Sequence, residues 1–123
     1  MAKSPRDSSD EPQCNGDDHA GLPMNVDAEA CERAAAIFRA LGDPQRLRML
    51  MLLEANERCV SEICTLLDEP MPAISQRLRL LKSERIVRSR REGKHVFYAL
   101  ADEHILRLVT NGVMHAMEET HSQ

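Results

Sequence analysis

The sequence predicts a mainly α-helical domain with a single β-hairpin, and three observations predict it. Leu, Ala, Ile, Val and Met are plentiful, while the chain holds two Phe, one Tyr and no Trp, a composition that suits helices. Apolar residues recur at helical spacing in five segments, several of them opened by Asp or Pro or closed by Gly. One stretch breaks that period: Ile86 to Leu100, I-V-R-S-R-R-E-G-K-H-V-F-Y-A-L, holds two β-favouring runs around a Glu92-Gly93 turn. At 123 residues the chain supports one small domain, with a core too modest to surround a large active-site cavity.

Residues 1–24 are rich in Ser, Pro, Gly and Asp, bury little, and are expected to form a flexible N-terminal arm. Residues 25–121 are expected to hold the folded domain. No apolar run is long enough to span a bilayer, and residues 1–18 lack the apolar core of a signal peptide. A cytoplasmic location is therefore expected, with Cys14, Cys31, Cys59 and Cys64 reduced.

The first helix is expected over 27–41, with Cys31, Ala34, Ile37, Phe38 and Leu41 on one core-facing stripe. Gly42 ends it, and Asp43 caps a second helix that starts at Pro44 and turns Leu47, Leu50, Met51 and Leu53 inward. A third, over 60–68, carries Val60, Ile63, Cys64 and Leu67 at core spacing. After the short turn D-E-P-M-P, a fourth runs over 72–83, held down by Ile74, Leu78 and Leu81. Two short helices joined by a tight turn, the second basic, make a helix-turn-helix.

Charge supports that assignment. The net charge is −4, yet residues 77–94 hold eight Lys or Arg against two Glu, while residues 1–32 hold eight acids against two bases. Local charge, not the total, decides what a surface attracts. On the fourth helix Ser75, Gln76, Arg77 and Arg79 lie outside the core stripe and are the expected DNA contacts. The hairpin adds Arg90, Arg91 and Lys94 near its tip, placed as a wing to touch the DNA backbone or minor groove. The fold class is thus a winged helix-turn-helix.

The last helix, 102–121, carries Asp102, His104, His115 and Glu118 at fixed offsets. His104 and His115 are eleven residues apart and return to nearly the same face, yet they lie about 16 Å apart along the axis. Metal–nitrogen bonds of about 2 Å cannot close that gap on one ion. A second, antiparallel copy of the helix brings Asp102 and His104 of one chain to His115 and Glu118 of the other. The spacing therefore predicts a homodimer together with a metal. Two imidazoles and two carboxylates form a borderline-hard tetrahedral set that suits Zn2+ or Co2+.

The chain resembles the ArsR–SmtB family of metal-responsive repressors over residues 25–121. The resemblance rests on L-G-D-P-Q-R-L-R-M-L at 41–50, E-R-C-V-S-E-I-C at 57–64, A-I-S-Q-R-L-R-L-L at 73–81, R-E-G-K-H-V-F-Y at 91–98, and the D-x-H-x10-H-x2-E pattern at 102–118. It is most similar to the SmtB-like zinc sensors. The resemblance implies a metal-free dimer bound as a repressor to double-stranded operator DNA, expected to be an inverted repeat, and released when zinc binds. It also implies a second, softer site on Cys14, His19, Cys59 and Glu62, able to take Cd2+ or Pb2+. The arm has one extra residue between its Cys and His. Arsenic sensors carry C-x-C-x2-C, whereas Ser61 stands here between Cys59 and Cys64, which argues against trivalent arsenic. Pro70-Met71-Pro72 also replaces the Ser residues that often open the recognition helix.

Two other readings compete. One keeps DNA binding but makes Cys59 and Cys64 a thiol switch, although their i,i+5 spacing suits a disulfide poorly on one helix. The other is a zinc-binding adaptor without DNA binding, which the Arg-rich helix and wing oppose. An enzyme is not expected: the chain has no phosphate loop and no nucleophile in a recognisable setting.

Overall fold

The fold follows from how the apolar faces of five helices and one hairpin close on each other. The computed structural model describes residues 26–121, with side chains through Glu118. The chain divides between Cys31 and Glu32 into two units, and of the first the described residues are 26–31. The elements in order are α1 (Ala28–Leu41), α2 (Pro44–Ala55), β1 (Arg58–Cys59), α3 (Val60–Leu67), α4 (Met71–Ser83), β2 (Val87–Glu92), β3 (His95–Leu100) and α5 (Glu103–His121). Among the described residues no helix is long and apolar enough to cross a membrane.

Local chemistry sets the boundaries. Asp27 Oδ1 accepts the Ala30 N–H at 2.8 Å and opens α1. Asp43 Oδ2 accepts the Arg46 N–H at 2.9 Å, with Pro44 in the first turn of α2 where its missing N–H costs nothing. Arg46 then reaches back, its Nε donating to the Ala40 carbonyl at 2.6 Å, so α2 satisfies the open end of α1. Asp68 closes α3 in the left-handed region at φ 57°, and its N–H turns back to the carbonyls of Cys64 and Thr65. Asp102 Oδ1 accepts the Ile105 N–H at 3.0 Å and caps α5.

The core is Ala40 and Leu41 of α1, Met49, Leu50 and Leu53 of α2, Ile63 of α3, Ile74, Leu78 and Leu81 of α4, then Ile86, Val87, Leu100, Ile105 and Val109. Leu78 and its neighbours at i−4 and i+3 are fully buried, as their spacing predicts. Met49, also fully buried, falls outside the expected inward set of α2, where Leu47 and Met51 are only half-buried.

Three expectations need correction. Cys31 and Ala34 are exposed and Phe38 is 56% exposed, because α1 buries only Ala40 and Leu41 near its C-terminal end. The hairpin turns at Gly93-Lys94, since Glu92 pairs with His95, and Gly93 supplies the φ of 63° that the turn requires. The sheet has three strands in the order β1-β3-β2, with Arg58 opposite Tyr98 and Cys59 opposite Phe97. The two-residue β1 is too short to show a period of its own.

Candidate nucleic-acid interface and metal half-sites

On α4 the core residues Ile74, Leu78 and Leu81 leave Gln76 and Arg79 exposed and Ser75 half-buried on the flank. Arg77 is placed differently from these. Its Nη2 pairs with Glu69 Oε1 at 2.7 Å, and both side chains are 20% exposed. The Arg77 hydrogen bond holds the Glu69 carboxyl below the usual glutamate range. Arg77 is thus partly neutralised by the turn that precedes its own helix.

The wing shows the same division. Arg90 donates from Nε to both carboxylate oxygens of Glu57, at 3.0 and 3.1 Å, and from Nη1 to Glu92 at 2.8 Å. Its guanidinium also lies 4.8 Å from the Phe97 ring centroid. The Arg90 hydrogen bond lowers the Glu57 pKa, and Glu57 and Glu92 in turn raise that of Arg90. Arg91 and Lys94 are exposed, and neither has an ion pair among the described residues. Arg90 therefore braces the wing against the Glu57 segment, and Arg91 and Lys94 near its tip, with Arg88 further down β2, carry charge without an ion pair among the described residues.

Potential metal ligands cluster at the two ends of α5. Asp102 and His104 are exposed at its start, with His104 Nδ1 3.8 Å from Asp102 Oδ1. His115 and Glu118 are exposed three residues apart near the other end. His115 also lines an apolar groove of about 740 Å3, together with Phe38, Leu108 and Met117. Among the described residues no three His, Cys, Asp or Glu side chains gather into a metal-binding group. Each end of α5 supplies one imidazole and one carboxylate, which is half of a tetrahedral set. At the head of α3, Cys59 is half-buried with its Sγ 3.2 Å from Ser61 Oγ, and Glu62 Oε1 accepts the Cys59 N–H at 3.1 Å. Cys14 and His19 lie outside the described residues. Cys64 packs against the core.

Three features escaped the sequence reading. Glu57 and Glu69 carry no local signal that they neutralise Arg90 and Arg77. Lys82 did carry one, since it lies three residues from Arg79 on the same flank of α4.

A basic helix, a braced wing and a helix-turn-helix core define a winged helix-turn-helix DNA-binding protein. Residues 43–89 match the family described as bacterial regulatory protein, arsR family. The chain is 37% identical over 98 residues to the HTH-type transcriptional repressor SmtB of Mycobacterium tuberculosis, covering 80% of this chain and 73% of that one. A cadmium resistance transcriptional regulatory protein CadC homolog of Staphylococcus aureus is 36% identical, over 68% of this chain and 70% of its own. Among solved structures, a homodimeric winged helix-turn-helix domain from Mycobacterium bovis superposes with a TM-score of 0.73 at 31% identity, covering 83% of this chain and 96% of that one. The chain belongs to the ArsR–SmtB family of metal-responsive transcriptional repressors.

Proposed function

We propose that this repressor senses a divalent metal, binding double-stranded operator DNA as a metal-free homodimer and leaving it when Zn2+ or a similar ion binds. The observation that carries the reading is the pair of half-sites on one continuous helix: Asp102 and His104 at the start of α5, His115 and Glu118 near its end. One copy cannot complete a site, and two antiparallel copies complete two. The apolar groove beside His115 and the homodimer reported for the M. bovis domain support pairing through α1 and α5. Two-fold pairing in turn favours an inverted-repeat operator.

In that dimer His104 and His115 would hold the ion through imidazole nitrogens, and Asp102 and Glu118 through carboxylate oxygens. Asp102 uses Oδ1 for its cap and keeps Oδ2 for a ligand, so filling the site need not unwind the helix. A bound divalent ion supplies positive charge and directional bonds across the seam. The two α5 helices then hold the recognition helices at a spacing or mobility that fits DNA less well, and the coupling runs equally in both directions. Cys59 and Glu62, joined by Cys14 and His19 of the arm, form the softer second site, suited to Cd2+ or Pb2+.

Anisotropy of a labelled operator duplex, titrated with zinc, tests the reading. Zinc should release the wild type and leave His104→Ala and His115→Ala bound, while Cys14→Ser stays zinc-responsive. Release of His115→Ala by zinc, with Cys14→Ser unresponsive, would reverse the roles of the two sites.

A further inference from the structure

Helix α4 and the sheet enclose a polar cleft of about 530 Å3, lined by Ser75, Arg79, Lys82, Ser83 and Tyr98. Helical spacing builds one wall. Ser75, Arg79 and Lys82 each follow a core residue by one position, after Ile74, Leu78 and Leu81, so they form a second row beside the buried one. Tyr98 of β3 builds the other wall, and its cross-strand partner is Ser89 of β2. Lys82 Nζ donates to Ser89 Oγ at 2.7 Å and ties the two walls together.

The lining holds two cations and three hydroxyls, and no carboxylate. Ser83 spends its proton on the Leu80 carbonyl at 2.7 Å, which leaves Arg79, Lys82, Ser75 and Tyr98 as donors. Neither Arg79 nor Lys82 has an ion pair among the described residues, whereas Arg77 and Arg90 are both matched by glutamates. The uncompensated charge of α4 is therefore concentrated in this cleft. Donors, positive charge and no competing carboxylate are what an oxyanion requires. The exposed Gln76, next to Ser75, sets a base-reading side chain at the edge of the cleft.

We infer that the cleft seats a phosphate of the DNA backbone, with Arg79 and Lys82 as charge partners and the Tyr98 and Ser75 hydroxyls as further donors. Lys82 and Tyr98 thereby join the DNA-contacting set, and the contact is independent of base sequence. The inference rests on the DNA-binding reading. A free phosphate offers the same chemistry, so the test separates the two sources.

The test measures duplex affinity of the full chain against salt for wild type, Lys82→Gln, Tyr98→Phe and Arg107→Gln. Arg107→Gln removes the same charge from α5, away from the cleft. Lys82→Gln should weaken operator and unrelated duplexes alike, roughly tenfold, and reduce the slope of log affinity against log salt by about 0.9. Tyr98→Phe should weaken both duplexes by a smaller factor with the slope unchanged, and Arg107→Gln should leave the slope as in wild type. Equal slopes for wild type and Lys82→Gln, or an equal fall with Arg107→Gln, would overturn the cleft while leaving DNA binding intact. Inorganic phosphate binding that Lys82→Gln abolishes, with the duplex slope unmoved, would overturn it in favour of a free anion. A wild type with no salt-dependent duplex binding would sink the DNA reading itself.

Discussion

Arg77 Nη2 lies 2.7 Å from Glu69 Oε1, so a basic residue of the recognition helix is held by the turn that introduces that helix. Arg77 Nη1 has no hydrogen-bond partner, which leaves Glu69 as the charge partner of this partly exposed guanidinium. Glu69→Gln should lower the thermal midpoint by a few degrees. It should also steepen the salt dependence of duplex binding, because it frees a cation on α4. Thermal unfolding and the salt slope, measured on one preparation, check both halves.

Acid should destabilise the domain through two glutamates. Arg77 and Arg90 hold Glu69 and Glu57 below the ordinary glutamate range. A depressed folded-state pKa contributes stability that is fully present above the unfolded value, about 4.3, and is lost as pH falls through the folded one. Arg90 is raised and remains charged throughout that window. The thermal midpoint should therefore fall between about pH 5 and pH 3. In a Glu57→Gln/Glu69→Gln double variant it should start lower and fall less.

Arg85 sits in the left-handed region at φ 61° between α4 and β2, a conformation that crowds the Cβ of any L-residue. Arg85→Gly removes that strain but adds unfolded-state entropy. The net gain should be about 0.5 kcal/mol, from roughly 1.5 kcal/mol of relieved strain against roughly 1 kcal/mol of added backbone entropy. Chemical denaturation should show a higher midpoint with an unchanged m-value.

Dimerisation should depend on apolar side chains that one copy leaves uncovered. Phe38 is 56% and Met117 55% exposed, and both line the groove beside His115. Phe38→Asp should yield a folded monomer by sedimentation and circular dichroism, and should lose the response to zinc at the α5 half-sites. A wild type that sediments only as monomer, with and without metal, would rule out the intersubunit site.

The helices were legible because their signals are local. Asp43-Pro44 and Asp102 mark starts by capping chemistry, and Ile74, Leu78 and Leu81 mark a buried face by their period alone. The helix-turn-helix, the wing and the ligand spacing on α5 followed from those same short-range rules, and so did the family resemblance. The sequence by itself thus determined the order of the five helices and the hairpin, the buried face of the recognition helix and the candidate metal ligands. Only the tertiary structure decided which charges remain available. Glu57 meets Arg90 across 33 residues of chain, Lys82 meets Ser89 from another element, and Cys31 stays exposed on a predicted stripe. Periodicity reports which face of an element is apolar. It says nothing of which neighbour arrives at that face, because that depends on how separate elements pack in space.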